Sequence, residues 1–124
     1  MIPYIDGTGA KWALELFELT DATDRLLVLR DASQLLACGL AGRRLQKIAT
    51  VYDYAPEGRP EGDSDETFHA KIVLADGVAA YVGSANLLWR SKGANLECGM
   101  LVEGPAVRAI KVVVDAVIST FSKP

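Results

Sequence analysis

Apolar residues occur along the chain in short blocks, and their spacing alternates between helical and extended periods. KWALELFELTDA sets Trp12, Leu14, Leu16, Phe17 and Leu19 at intervals that predict a short helix with some alternation, after an irregular start at residues 1–9 that carries Pro3, Gly7 and Gly9. RLLVLRD, residues 25–31, is a continuous apolar run between acidic residues, the pattern of a strand buried in a parallel sheet. Ser33 is the N-cap expected for the helix SQLLACGLAGRRLQKIA. Gly39 and Gly42 each weaken that helix by about 1 kcal/mol relative to Ala and are expected to permit close packing on the sheet. ATVYDYA, residues 49–55, alternates and ends at Pro56, so it reads as a strand. Residues 56–66, PEGRPEGDSDE, form a polar surface connection.

FHAKIVLAD and VAAYVG flank Asp76-Gly77, a strong hairpin signal. Residues 84–94 read as a loop or short helix, LECGMLVEG as a strand ended by Gly104, and Pro105 opens the helix PAVRAIKVVVDAVISTF. The order is helix, strand, helix, strand, hairpin, strand, helix. It predicts an α/β fold with a mixed β-sheet flanked by helices on both faces, in one domain spanning residues 1–124.

Composition narrows the partners. Half the residues are hydrophobic and 23% are charged, which suits a globular domain. The net charge of −3 excludes a global basic field, so any attraction to phosphate is local. Cys38 and Cys98 fit no zinc or redox spacing, and both are expected to be small buried hydrophobes in a reduced, cytoplasmic setting. The N-terminus has neither the basic region nor the apolar core of a signal peptide. No apolar run approaches the ~20 residues that span a bilayer.

Candidate chemistry centres on His69, the single histidine. In an extended segment, residues 69 and 71 share a face, so Lys71 stands about 7 Å beyond His69 on the same side. An imidazole and an ammonium so placed suit a phosphate: one attacks phosphorus, the other neutralises oxygens. The hairpin returns to Gly83-Ser84-Ala85-Asn86, where glycine admits close backbone approach and Ser84 and Asn86 offer a hydroxyl and an amide. Glu97, near the next strand, is placed to accept a bond from an imidazole and fix its tautomer. Taken singly, each of these residues has a plainer reading: a turn former at Asp76, an exposed lysine, a surface glutamate. Phe68 and Tyr81 read as packing residues, and Trp89, Arg90 and Lys92 as loop residues beside the site.

Together, His69-x-Lys71-x4-Asp76-x6-Gly83-Ser84-x-Asn86, followed by NLECGMLV, resembles the signature of the phospholipase D superfamily. The resemblance spans about residues 68–102. It implies that His69 attacks phosphorus to give a phosphohistidine, that Lys71 and Asn86 hold nonbridging oxygens with Ser84 assisting, and that Glu97 orients His69. Asp76 belongs to the same motif and looks more like a hairpin-shaping member than a proton carrier. No metal or other cofactor is implied. The family uses two motif copies facing one another, whereas this chain carries one. The resemblance therefore implies a homodimer or a missing second half. It also implies that a strand-helix-strand unit precedes the region present here, so that the chain is the C-terminal portion of a longer protein or an oligomer completes the sheet.

Three functions follow from the resemblance. The first is metal-independent phosphodiester hydrolysis of nucleic acid, in keeping with short relatives that look like phage-defence components. The second is a phospholipase-type hydrolase acting on phospholipid. The third is a catalytically incomplete module that binds phosphate or a partner.

Overall fold

The computed structural model describes residues 1–54 and 68–121, so the acidic 56–66 connection lies outside the described residues. The first helix, α1 (Gly7–Glu18), starts earlier than the apolar spacing suggests, because Asp6 caps it by accepting from the Gly9 N–H at 2.8 Å. The residues it buries are Gly9, Ala10, Ala13 and Leu14, one narrow stripe of mostly small side chains.

A βαβ unit follows. Strand β1 (Leu26–Leu29) pairs in parallel with β2 (Thr50–Asp53), and the crossover is a 3-10 helix (Ala32–Cys38) running into α2 (Gly39–Ile48). Buried Leu27, Val28 and Leu29 match the continuous apolar run of a parallel strand. The crossover differs from its prediction in two ways. Asp31, not Ser33, is the cap: its carboxylate accepts from the Ser33 N–H at 2.8 Å. Gly39, at φ 60, divides the expected single helix. Gly42 packs closely, but against the 3-10 helix and not the sheet, since a Cβ there would stand 2.1 Å from the Leu35 carbonyl oxygen.

Strands β3 (Lys71–Ala75), β4 (Ala79–Gly83) and β5 (Gly99–Glu103) form an antiparallel meander. The predicted Asp-Gly turn is present. Asp76 and Gly77 have φ 55 and 66, and the Val78 N–H donates to the Ala75 carbonyl at 3.0 Å. Between β4 and β5 lies the short α3 (Trp89–Gly93), and α4 (Ala106–Phe121) closes the chain directly after Pro105.

The two ladders lie side by side and are joined by residues 1–3. Met1 and Ile72 exchange both backbone hydrogen bonds at 2.8 Å, while the Ile2 N–H donates to Val28 and the Arg30 N–H to Pro3. Leu27 and Leu29 share one core with Ala10, Ala13, Leu35 and Leu45 from the helices. Each leucine there adds about 1.5–3 kcal/mol. On the opposite face α4 packs on β2, β4 and β5 with Val107 and Val114 buried. Helices thus flank both faces of the strands. Buried Phe68 meets Tyr54 edge to face at 5.0 Å and fixes the chain one residue before His69.

Candidate functional site

Register decides what meets at the end of the meander. Lys71 lies opposite Gly83, and Gly83 opposite Gly99, so the first residue of β3 shares a face with two positions that lack side chains. His69 precedes β3 by two residues and is exposed. Lys71 ties the two together: its Nζ donates to the His69 carbonyl at 2.7 Å.

Ser84 follows Gly83 and joins β4 to the segment ahead of β5. The Ser84 N–H donates to the Cys98 carbonyl at 3.0 Å, and the Cys98 N–H donates to Ser84 Oγ at 3.0 Å. The hydroxyl in turn donates to Glu97 Oε2 at 2.5 Å, and Asn95 Nδ2 donates to Glu97 Oε1 at 3.4 Å. These bonds hold the Glu97 carboxyl below its ordinary pKa. Ser84 has the largest effect, followed by Ser91; Asn95 and the Lys71 charge add to it against a desolvation effect of opposite sign. Glu97 is therefore an anchored carboxylate at neutral pH, two residues ahead of β5.

Asn86 is fixed from both sides. Its N–H donates to Ser91 Oγ at 3.1 Å, and its side-chain Oδ1 is buried with no hydrogen-bond partner among the described residues. A buried carboxamide oxygen without a partner costs about 1–3 kcal/mol, so other contacts must hold it there. The next residue supplies them. Leu87 forms a parallel bridge with Ile5, accepting from the Asp6 N–H at 3.0 Å and donating to Tyr4 at 3.2 Å. Asp6 serves both elements: one carboxylate oxygen caps α1 and the other accepts from the Trp89 N–H at 2.9 Å. Gly9 makes this contact possible, because a Cβ there would lie 1.5 Å from the Leu87 carbonyl oxygen.

Lys71, Ser84 and Glu97 thus come together, with His69 attached through its carbonyl and Asn86 through Ser91. Asp76 does not join them. It sits at the hairpin tip, roughly 16 Å along β3 from Lys71 at the rise of an extended strand. Arg90 and Trp89 are exposed, and Lys92 lies over the Trp12 ring at 5.7 Å. Cys98 is exposed, contrary to the expectation that both cysteines are buried, because the backbone around it turns toward Ser84; Cys38 is buried.

Two features were not foreseen. Ser91 and Asn95 serve Glu97 and Asn86 from α3 and the turn after it. Tyr81 lies across the paired glycines, where a Cβ on Gly83 would stand 2.3 Å from its hydroxyl and one on Gly99 would stand 2.2 Å from its ring. The Ala85 N–H donates to that hydroxyl at 3.4 Å. The space above Gly83, expected to admit a ligand, is occupied by this phenol. Glycine at 83, two residues after a tyrosine, was the available signal, but it gains meaning only once β5 places Gly99 beside it.

Fold and site define an α/β domain in which a strand-borne lysine, a hydroxyl–carboxylate pair and a buried amide gather at one end of an antiparallel meander. The family model described as cardiolipin synthase, PLD-like domain, matches residues 27–122, and the chain belongs to this PLD-like family of the phospholipase D superfamily, whose members are of phosphodiester-hydrolase type. No curated protein and no solved structure gives a significant match. Among the described residues, no helix is long and apolar enough to cross a membrane.

Proposed function

We propose that the protein is a cytoplasmic phosphodiesterase that cleaves nucleic acid through a phosphohistidine on His69. The observation that carries the reading is the convergence of the Lys71 ammonium, the Ser84 hydroxyl and the Glu97 carboxylate beside the exposed His69. His69 Nε2 forms a bond to phosphorus as the P–O bond to the leaving group breaks. Lys71 and Asn86 hold the nonbridging oxygens, with Ser84 assisting. Glu97 accepts from Nδ1–H and keeps Nε2 free; a carboxylate has about four acceptor sites, so the bonds from Ser84, Ser91 and Asn95 leave one for it. Asp76 shapes the hairpin that carries His69 and Lys71.

One motif supplies one histidine. In this reading a second copy of the chain, or a second motif half, brings the other. That imidazolium protonates the leaving oxygen, then as a neutral base takes a proton from the water that attacks phosphorus and breaks the P–N bond. Substrate contacts are local because the chain is acidic overall, with net charge −3. A role in defence against phage DNA fits such an activity.

The test compares wild type with His69→Ala on DNA, on phospholipid vesicles and on a chromogenic phosphodiester. The expected result is His69-dependent cleavage of DNA and of the dye, an acid-labile phosphoryl adduct on His69, and DNA binding that weakens steeply with salt. Equal inactivity of both proteins on all three substrates refutes the enzyme in favour of a phosphate- or partner-binding module. Cleavage confined to vesicles refutes the nucleic-acid assignment.

A further inference from the structure

β1 ends at Leu29, and Arg30 is the first residue beyond it. The Arg30 backbone N–H donates to the Pro3 carbonyl at 3.2 Å. Its guanidinium Nη1 donates to the Tyr4 hydroxyl at 2.5 Å, with Cζ 5.7 Å from the centre of that ring. Tyr4 is itself fixed. The Gln34 amide donates to the Pro3 carbonyl and accepts from the Ile5 N–H, each at 3.1 Å, so the backbone on both sides of Tyr4 is held. Arg30 and Tyr4 are both half-buried.

Two chains of contact place Arg30 among the motif residues. On one side the Tyr4 carbonyl accepts from the Leu87 N–H at 3.2 Å, and Leu87 follows Asn86. On the other the Tyr54 N–H donates to the Leu29 carbonyl at 3.0 Å, and the Tyr54 ring meets Phe68, which precedes His69. The guanidinium thus stands at the end of β1, with the segment bearing Asn86 on one side and the segment bearing His69 on the other. A guanidinium has five N–H donors, and Tyr4 takes one. Among the described residues no carboxylate pairs with it. Asp31 directs its carboxylate to the Ser33 N–H. Asp53 stands opposite Leu29, so strand alternation turns its side chain to the face away from Arg30. A half-buried cation with donors to spare and no counter-charge suits an anion.

We infer that Arg30 binds a second phosphate of the nucleic-acid strand, next to the one that His69 attacks, and that Tyr4 holds the guanidinium in place for it. The inference rests on the phosphodiesterase reading and adds to that site a residue from well ahead of the motif in sequence. Arginine suits the role because its planar fork meets two oxygens of one phosphate, whereas Lys71 acts as a point charge. Two cations then serve successive phosphates of one strand, Lys71 the scissile group and Arg30 its neighbour. A substrate with a single phosphate engages only the first. The pair gives a chain of net charge −3 a local hold on a polyanion.

The test measures equilibrium binding of a fluorescent thymidine oligonucleotide over a salt series, in a His69→Ala background that prevents turnover. Arg30→Gln is expected to weaken binding roughly tenfold and to lower the slope of log affinity against log salt by about 0.7, the value for one phosphate contact on a single strand. Arg30→Lys should keep the slope and lose part of the affinity, and Tyr4→Phe should do the same. Should Arg30→Gln fail to fold, these two variants carry the test. Lys47, in the last turn of α2, lies at the opposite end of the β1–β2 ladder, and Lys47→Gln should change neither quantity. Binding unaltered in Arg30→Gln, or lowered equally by Lys47→Gln, overturns the inference even where wild type cleaves DNA. Arg30-dependent binding by a wild-type protein that cleaves nothing upholds the phosphate contact and refutes the phosphodiesterase. Arg30-dependent retention on anionic vesicles, with oligonucleotide binding unaltered, overturns the inference in favour of a lipid headgroup.

Discussion

Replacing Gly9 by Ala tests whether α1 clamps the segment that carries Asn86. The added methyl would stand 1.5 Å from the Leu87 carbonyl oxygen and 2.1 Å from its carbon. Relieving it to ordinary contact near 3.5 Å requires α1 and that segment to part by roughly 2 Å. Such a shift breaks the Asp6 N–H to Leu87 and Leu87 N–H to Tyr4 bonds, each worth about 0.5–1.5 kcal/mol. It also uncovers Leu87, now 5% exposed, whose burial is worth up to about 3 kcal/mol. The expected loss is about 3–5 kcal/mol, a large share of the ~5–15 kcal/mol typical of a domain. Gly7 is the control, since a Cβ there meets nothing within 4 Å; Gly7→Ala is expected to stay within about 1 kcal/mol of wild type, on the stabilising side. Urea unfolding followed by circular dichroism measures both through the midpoint at constant slope. A Gly9→Ala midpoint within 1 kcal/mol of wild type, or an equal loss in Gly7→Ala, refutes the close-contact account.

Glu97 titrates below the ordinary carboxylate range, and Ser84→Ala is expected to move it back up in an NMR titration of its side-chain carboxyl, because Ser84 has the largest effect on it. A depressed folded-state pKa means that stability from this group is present above the unfolded pKa and lost as pH falls through the folded one; Ser84→Ala should therefore flatten the acid limb of the stability profile. In native protein a thiol reagent should modify exposed Cys98 promptly, and Cys38 only on unfolding, since burial and then the Asp6 charge raise the Cys38 thiol. Gly99→Ala should displace the Tyr81 ring, because the clash is with a side chain able to swing away. A change in near-UV circular dichroism with a cost of about 1–3 kcal/mol is expected, and an unchanged tyrosine signal would count against the stacked arrangement.

Much of the architecture follows from local spacing. The parallel strand at 26–29, the Asp-Gly hairpin, the last helix and the order of elements are written in apolar runs and turn residues, because these patterns act over a few neighbouring positions. The motif from His69 to Asn86 is legible for the same reason: one hairpin carries it, and the alternation of a strand fixes which of its side chains share a face. Elsewhere the local signals compete. Asp31 and Ser33 are both good caps, and only the extended backbone at 31 places its carboxylate on the Ser33 N–H. Gly39 and Gly42 look alike in sequence, yet one breaks a helix through its positive φ and the other admits the Leu35 carbonyl.

Beyond that, what matters is set by contacts between residues distant along the chain. Gly9 is a helix-weakening residue until Leu87 is laid against it, and Tyr81 is an ordinary strand aromatic until β5 brings Gly99 beside Gly83. Glu97 takes its charge state chiefly from two serines and an asparagine that the fold turns toward it, and the two ladders are joined through residues 1–3. Sequence alone determined most of the elements and the identity of the candidate groups, since backbone preference and side-chain chemistry are properties of neighbours. Tertiary structure alone decided which of those groups are held together, because strand register and helix contact bring side chains within bonding distance regardless of their separation along the chain.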